Sequence, residues 1–104
     1  MKFKNLYKRL FFRSKAQDLD YNEAMEIYNK QNAILIDVRS ADEYEKKHIQ
    51  GAINIPVYEI ENIKNEIRDK DALILLYCST GERSNIAKEV LLQNGYKNVY
   101  TFNM

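Results

Sequence analysis

Ala72-Leu73-Ile74-Leu75-Leu76-Tyr77-Cys78-Ser79-Thr80-Gly81-Glu82-Arg83-Ser84 is the stretch on which the reading of this chain turns. Its first six residues form the most hydrophobic run in the sequence, the mark of a central strand covered on both faces. Ile86, Ala87, Val90 and Leu91 then repeat at helical spacing up to Gly95, a natural C′ residue. Cys78 therefore stands where a buried strand hands over to a helix. In open parallel sheets, ligands bind outside the carboxyl ends of the strands. A helix beginning near Arg83 or Ser84 aims free N–H groups back at the sulfur and lowers the thiol pKa, which favours a nucleophilic thiolate. Gly81 permits the tight curl that turns backbone amides inward as an anion-binding nest. Arg83 supplies a planar donor fork suited to oxyanions. A carboxylate aimed at the sulfur would oppose ionisation, so Glu82 is expected to face solvent. A free cysteine is ordinarily a small buried hydrophobe. Placement after the strand, at the head of a loop bearing Gly and Arg, favours the reactive-thiol reading.

Outward from this segment, strands and helices alternate. Ala33-Ile34-Leu35-Ile36 is a second continuous apolar run, and Asn98 to Phe102 reads as a last strand. Asp20 with Glu23 three residues on is a capping box, opening a helix through Ala24, Met25, Ile27 and Tyr28. Residues 41–47 form a polar turn of helix. Ala52 to Ile55 is a short strand stopped by Pro56, and Val57, Ile60, Ile63 and Ile67 follow at helical spacing. The alternation predicts a mostly parallel sheet covered by helices on both faces.

Composition narrows the function. A chain of 104 residues holds one domain, and 45% hydrophobic content with 12% aromatics supplies its core. One cysteine cannot form an internal disulfide or a Cys-rich zinc site, and one histidine removes most triad and His-based metal chemistry. No apolar run approaches the ~20 residues that span a bilayer. These features predict a cytoplasmic protein without metal, cofactor or nucleic-acid partner. The net charge of +1 conceals an uneven distribution. Residues 1–17 carry six basic side chains and no acid, leaving the remainder at −5. Phe3, Leu6, Tyr7, Leu10 and Phe11 line one face of a helix in this basic amphipathic arm. The arm is expected to pack on its own acidic domain, residues 18–104. Membrane contact is the alternative, weak for so short a helix without a second anchor.

The residues resemble the rhodanese family. Ile36-Asp37-Val38-Arg39, Glu43-Tyr44, His48-Ile49-Gln50-Gly51-Ala52-Ile53-Asn54-Ile55-Pro56 and Tyr77-Cys78-Ser79-Thr80-Gly81-Glu82-Arg83-Ser84 carry the resemblance, in order, from about Asp18 to Phe102. It implies a rhodanese-like α/β fold, with a five-stranded, mostly parallel sheet flanked by helices on both faces, and a sulfurtransferase. Cys78 would take sulfane sulfur from thiosulfate or a persulfide, hold it as a persulfide, and pass it to a thiol, a protein acceptor or cyanide. The segment Ser79, Thr80, Gly81, Glu82, Arg83 and Ser84 would bind the substrate. Cys78 to Arg83 spans six residues, whereas similar phosphatases of the Cdc25 type carry seven, a ring sized for phosphate or arsenate. A phosphatase or arsenate reductase is thus disfavoured, and a non-catalytic rhodanese-like binding module is the rival of a different class.

The accompanying residues read as support. Asp37 is expected to hold loop amides or pair with a cation rather than act in catalysis. Arg39 is expected to pair with Glu43 across a helix start or to line the mouth of the site. His48 should hydrogen-bond backbone in the turn before Gly51. Many relatives continue past the last strand with a Gly-Gly turn and a helix, and here the sequence stops at Met104. The arm could substitute for that element.

Overall fold

Each strand in this chain returns to run beside its neighbour in the same direction. The computed structural model describes residues 18–104, so the expected arm at 1–17 lies outside the described residues. The elements are β1 (Asp18–Leu19), α1 (Tyr21–Lys30), β2 (Ala33–Asp37), α2 (Ala41–Lys46), β3 (Ile53–Asn54), a 3-10 segment (Val57–Asn62) leading into the one-turn α3 (Ile63–Glu66), β4 (Leu73–Cys78), α4 (Glu82–Gln93) and β5 (Asn98–Asn103). The strand order is β1-β5-β4-β2-β3, and every pairing is parallel.

β4 occupies the centre, hydrogen-bonded on both sides. Its alternating side chains feed two cores. Ile74, Leu76 and Cys78 pack with Ile36, Val38, Ile60, Ile63, Ala87 and Leu91 on the face covered by the 3-10 segment, α3 and α4. Leu75 and Tyr77 pack with Leu19, Ala24, Ile27, Leu35 and Phe102 on the α1 face. Burial on both sides explains why the strand reads as continuous apolar sequence rather than as alternation. At ~25 cal/mol per Å², each such side chain contributes ~1.5–3 kcal/mol to folding.

Local signals place the ends. The capping box at Asp20 and Glu23 is present, with Glu23 N–H donating to Asp20 Oδ1 at 2.8 Å and Asp20 N–H to Glu23 Oε1 at 3.1 Å. A second box, Ser40 with Glu43, opens α2. The spacing of Val57, Ile60 and Ile63 is three residues, and the chain there winds as 3-10 helix before its one α turn. Two sequence expectations shift. β1 adds a two-residue strand at Asp18, too short to show periodicity. Ile86, expected on the core face of α4, is 52% exposed, because the buried face runs through Ser84, Ala87 and Leu91. Among the described residues no helix is long and apolar enough to cross a membrane.

Candidate active site

Cys78 ends β4 opposite Asn103 of β5, and Met104 N–H donates to its carbonyl at 3.0 Å. Ser79, Thr80 and Gly81 then turn the chain, and α4 begins at Glu82, slightly earlier than the sequence predicts. Gly81 is the N-cap, at φ 93°, and it has no side chain to satisfy the free N–H groups of the first turn. The sulfur does this instead. Gly81 N–H reaches Cys78 Sγ at 3.0 Å and Ser84 N–H reaches it at 3.4 Å. Sγ thus stands where a capping oxygen would, at the positive end of a twelve-residue helix. Glycine is required at position 81 because φ is in the left-handed region and a Cβ would lie 3.0 Å from Asn103 Oδ1.

Ser84, fully buried, completes the cradle. Its Oγ lies 3.4 Å from Sγ and 3.1 Å from the Gly81 carbonyl oxygen. A hydroxyl has one proton to donate. With Cys78 as thiol, S–H donates to Oγ while the hydroxyl donates to Gly81; with Cys78 as thiolate, the hydroxyl turns to the sulfur. Burial by itself pushes the Cys78 thiol up. The Ser84 hydroxyl and the N–H groups of Ser84, Gly81 and Thr80 outweigh it and bring the thiol below its ordinary 9.0.

Two arginine contacts differ from those the sequence suggests. Arg83 does not turn its fork toward the sulfur. It makes a bidentate pair with Glu43 of α2, Nη1 to Oε1 at 2.6 Å and Nη2 to Oε2 at 3.1 Å. Arg39 in turn does not pair with Glu43. It folds back on Asp37, with Nε 3.0 Å from Oδ1 and Nη2 2.7 Å from Oδ2, and also donates to the Lys47 carbonyl. Asp37 Oδ1 also accepts the Arg39 backbone N–H at 2.9 Å, so it both holds a loop amide and pairs with a cation. Both side chains are buried, and Asp37 is neutralised in place. Glu43 ionises well below the usual range, at about 2, chiefly because Arg83 hydrogen-bonds it and then because Ser40 N–H does.

Among the other predicted site residues, Ser79, Thr80 and Glu82 are exposed, so Glu82 does face solvent. His48 Nδ1–H donates to the Tyr44 carbonyl oxygen at 2.7 Å, and the ring stacks on that of Tyr44, away from the sulfur chemistry. Asn103, which borders Gly81, is a neighbour that only the register of β5 reveals. A cleft of about 1030 Å³ lies on the α1 side, lined by Tyr21, Met25, Tyr28, His48 and Met104 among others. The Cys78 loop is not part of its lining; Cys78 points to the opposite face. Among the described residues, no group of three or more His, Cys, Asp or Glu is placed to hold a metal ion.

This arrangement can hold a sulfur anion and stabilise charge on a second sulfur attached to it. Known proteins resemble the chain in sequence and fold. Residues 20–104 match the model of the rhodanese-like domain. The thiosulfate sulfurtransferase PspE of Escherichia coli is 45% identical over 65 residues, 62% of each chain. The thiosulfate sulfurtransferase GlpE of Coxiella burnetii is 31% identical over 85 residues, 82% of this chain and 78% of that one. A solved structure of a rhodanese with anions from E. coli superposes with a TM-score of 0.63 at 41% identity, covering 66% of this chain and 82% of the other. Several curated relatives extend further, since the match spans 62% of PspE and 40% and 53% of two Bacillus subtilis relatives. The family model covers most of the chain, and on that match the chain belongs to the rhodanese-like domain family.

Proposed function

We propose that this chain is a sulfurtransferase in which Cys78 carries sulfane sulfur as a persulfide. The observation that carries the reading is the convergence of the Gly81 and Ser84 N–H groups on Sγ, at 3.0 and 3.4 Å, at the start of α4. The naming of PspE and GlpE as thiosulfate sulfurtransferases supports it, as does the six-residue span from Cys78 to Arg83.

In the first half-reaction the Cys78 thiolate attacks the outer sulfur of thiosulfate or of a persulfide. A new S–S bond forms, the donor S–S bond breaks, and sulfite or a thiolate leaves with the bonding pair. The negative charge on the transferred sulfur is met by backbone N–H groups already oriented, which costs no reorganisation during reaction. In the second half-reaction a thiol, a protein acceptor or cyanide attacks the outer sulfur, and Cys78 returns as thiolate. No step moves a proton through His48, and none needs a redox partner. A lone thiol that cycles in this way suits the reducing cytoplasm.

Thiocyanate formation from thiosulfate and cyanide tests the reading. The native protein should turn over and Cys78→Ser should not. Absence of thiocyanate with any sulfane donor, or equal turnover by Cys78→Ser, overturns it. Hydrolysis of an aryl phosphate by the native protein would replace it with the phosphatase reading.

A further inference from the structure

Among the described residues two arginines stand near the Cys78 loop, and both are already committed. Arg39 is spent on Asp37 and the Lys47 carbonyl. The fork of Arg83 is filled by both oxygens of Glu43. Resting on the sulfurtransferase reading, we propose that the Glu43–Arg83 pair is a specificity element: it cancels the cation of the loop and turns the site from dianionic donors toward persulfides carrying at most one negative charge.

Glu43 is fastened independently of Arg83. It is the N3 residue of α2, where its Oε1 accepts Ser40 N–H at 3.0 Å and its own N–H donates to Ser40 Oγ at 3.2 Å. A carboxylate held from its own helix presents a fixed fork, so Arg83 is drawn toward α2 rather than left free to follow a substrate. The shift of Glu43 to about 2 keeps it ionised wherever Cys78 is a thiolate. Beside the pair, Glu82 adds an exposed carboxylate at the start of α4. The loop therefore meets a donor with a thiolate, an acidic side chain and an arginine whose charge is offset. Thiosulfate brings two further negative charges to this place. A persulfide R–S–SH brings none, or one when ionised. Its transfer is balanced without a free cation: the thiolate takes the outer sulfur, the donor S–S bond breaks, and R–S⁻ leaves with the bonding pair.

The test compares two donors on native protein and Glu43→Gln. Gln can still accept Ser40 N–H, so the helix cap is retained while the charge is removed. Persulfide formation on Cys78 is followed in single-turnover mass spectrometry, with thiosulfate as dianion and cysteamine persulfide as the net-neutral donor. A unit charge within about one Debye length of a dianion, under water-like screening, changes the rate by several-fold to about tenfold. Glu43→Gln should therefore accelerate uptake from thiosulfate several-fold to about tenfold and leave uptake from cysteamine persulfide within about twofold. In the native protein, added salt should speed the thiosulfate reaction, since it screens repulsion. This second measurement requires no variant. The proposal is overturned if salt slows the native thiosulfate reaction, if Glu43→Gln changes both donors equally, or if it leaves thiosulfate unchanged or slower. Failure of both donors to label native Cys78 would instead overturn the sulfurtransferase reading itself.

Discussion

Replacing Ser84 by Ala removes one of the groups that ionise Cys78 and leaves the others in place. The hydroxyl lies 3.4 Å from Sγ, while the Gly81 and Ser84 N–H donors remain at 3.0 and 3.4 Å. A hydrogen bond to a charged group contributes ~1.5–3 kcal/mol. The length of this one places it at the lower end, and ~1.4 kcal/mol corresponds to one pH unit. The thiol midpoint should rise by about one unit, reducing the thiolate fraction about tenfold at pH values well below the native midpoint. The fold should tolerate the change at a cost of ~1 kcal/mol, because the Gly81 carbonyl keeps its bond from Asn85 N–H at 3.0 Å. The linkage has a definite sign. The native thiol ionises below its ordinary value, so its contribution to stability is present above the unfolded pKa and is lost as pH falls through the folded one. Ser84→Ala should shrink that alkaline gain. Ultraviolet absorbance of the thiolate during a pH titration reads the midpoint, and thermal unfolding in the same buffers reads the stability. A folded Ser84→Ala protein with an unmoved midpoint would refute the assignment of the hydroxyl as a thiolate donor.

Arg39→Ala should cost about 3–5 kcal/mol in denaturant unfolding, because it leaves Asp37 buried without its counter-charge. Arg83→Ala should cost under ~1 kcal/mol, since about a third of its side chain is exposed and water screens the pair; equal losses for the two would contradict the assignment of Arg39 as the structural arginine. Gly51→Ala should destabilise by about 1 kcal/mol or more, because φ is 91° and the new Cβ would meet the Tyr28 hydroxyl. Part of that loss should be recovered in a Tyr28→Phe background, and strict additivity in the double-mutant cycle would show that the two do not touch. Finally, Glu43 ionises at about 2 against an ordinary 4.5, so its stabilisation is present above ~4.5 and fades as pH falls toward 2. Glu43→Gln should flatten the acid limb of the stability curve over that interval; an identical limb in both proteins would contradict the pairing.

The part of the site that lies along one stretch of chain is legible in the sequence. The apolar run to Tyr77, the cysteine after it and the glycine before a helical repeat together put Cys78 at a strand-to-helix turn, and the sheet's central strand is the one expected. What could not be read there was set by distant contacts. Arg83 and Glu43 are forty residues apart, and nothing in local spacing says that a carboxylate from α2 fills the fork meant for an oxyanion. The Glu43 pairing, one of the two roles expected of Arg39, is lost for the same reason, and Asp37, two residues away at the end of β2, takes that place. The Ser40–Glu43 box was visible in the sequence as S-x-x-E and would have fixed Glu43 to α2 from the start. Asn103 beside Gly81 depends on the register of β5 with β4, which two apolar strands do not encode between themselves. Ile86 is apolar at a helical spacing and still faces outward, because the core face of α4 is narrower than its sequence pattern.

The most direct test of the account is the mass of the intact protein after brief exposure to a sulfane donor, thiosulfate or a small persulfide. The account predicts one added sulfur atom, located on the peptide containing Cys78, lost on addition of cyanide and absent from Cys78→Ser. A native protein whose mass does not change with either donor, or a Cys78→Ser protein that gains the same sulfur, would contradict it.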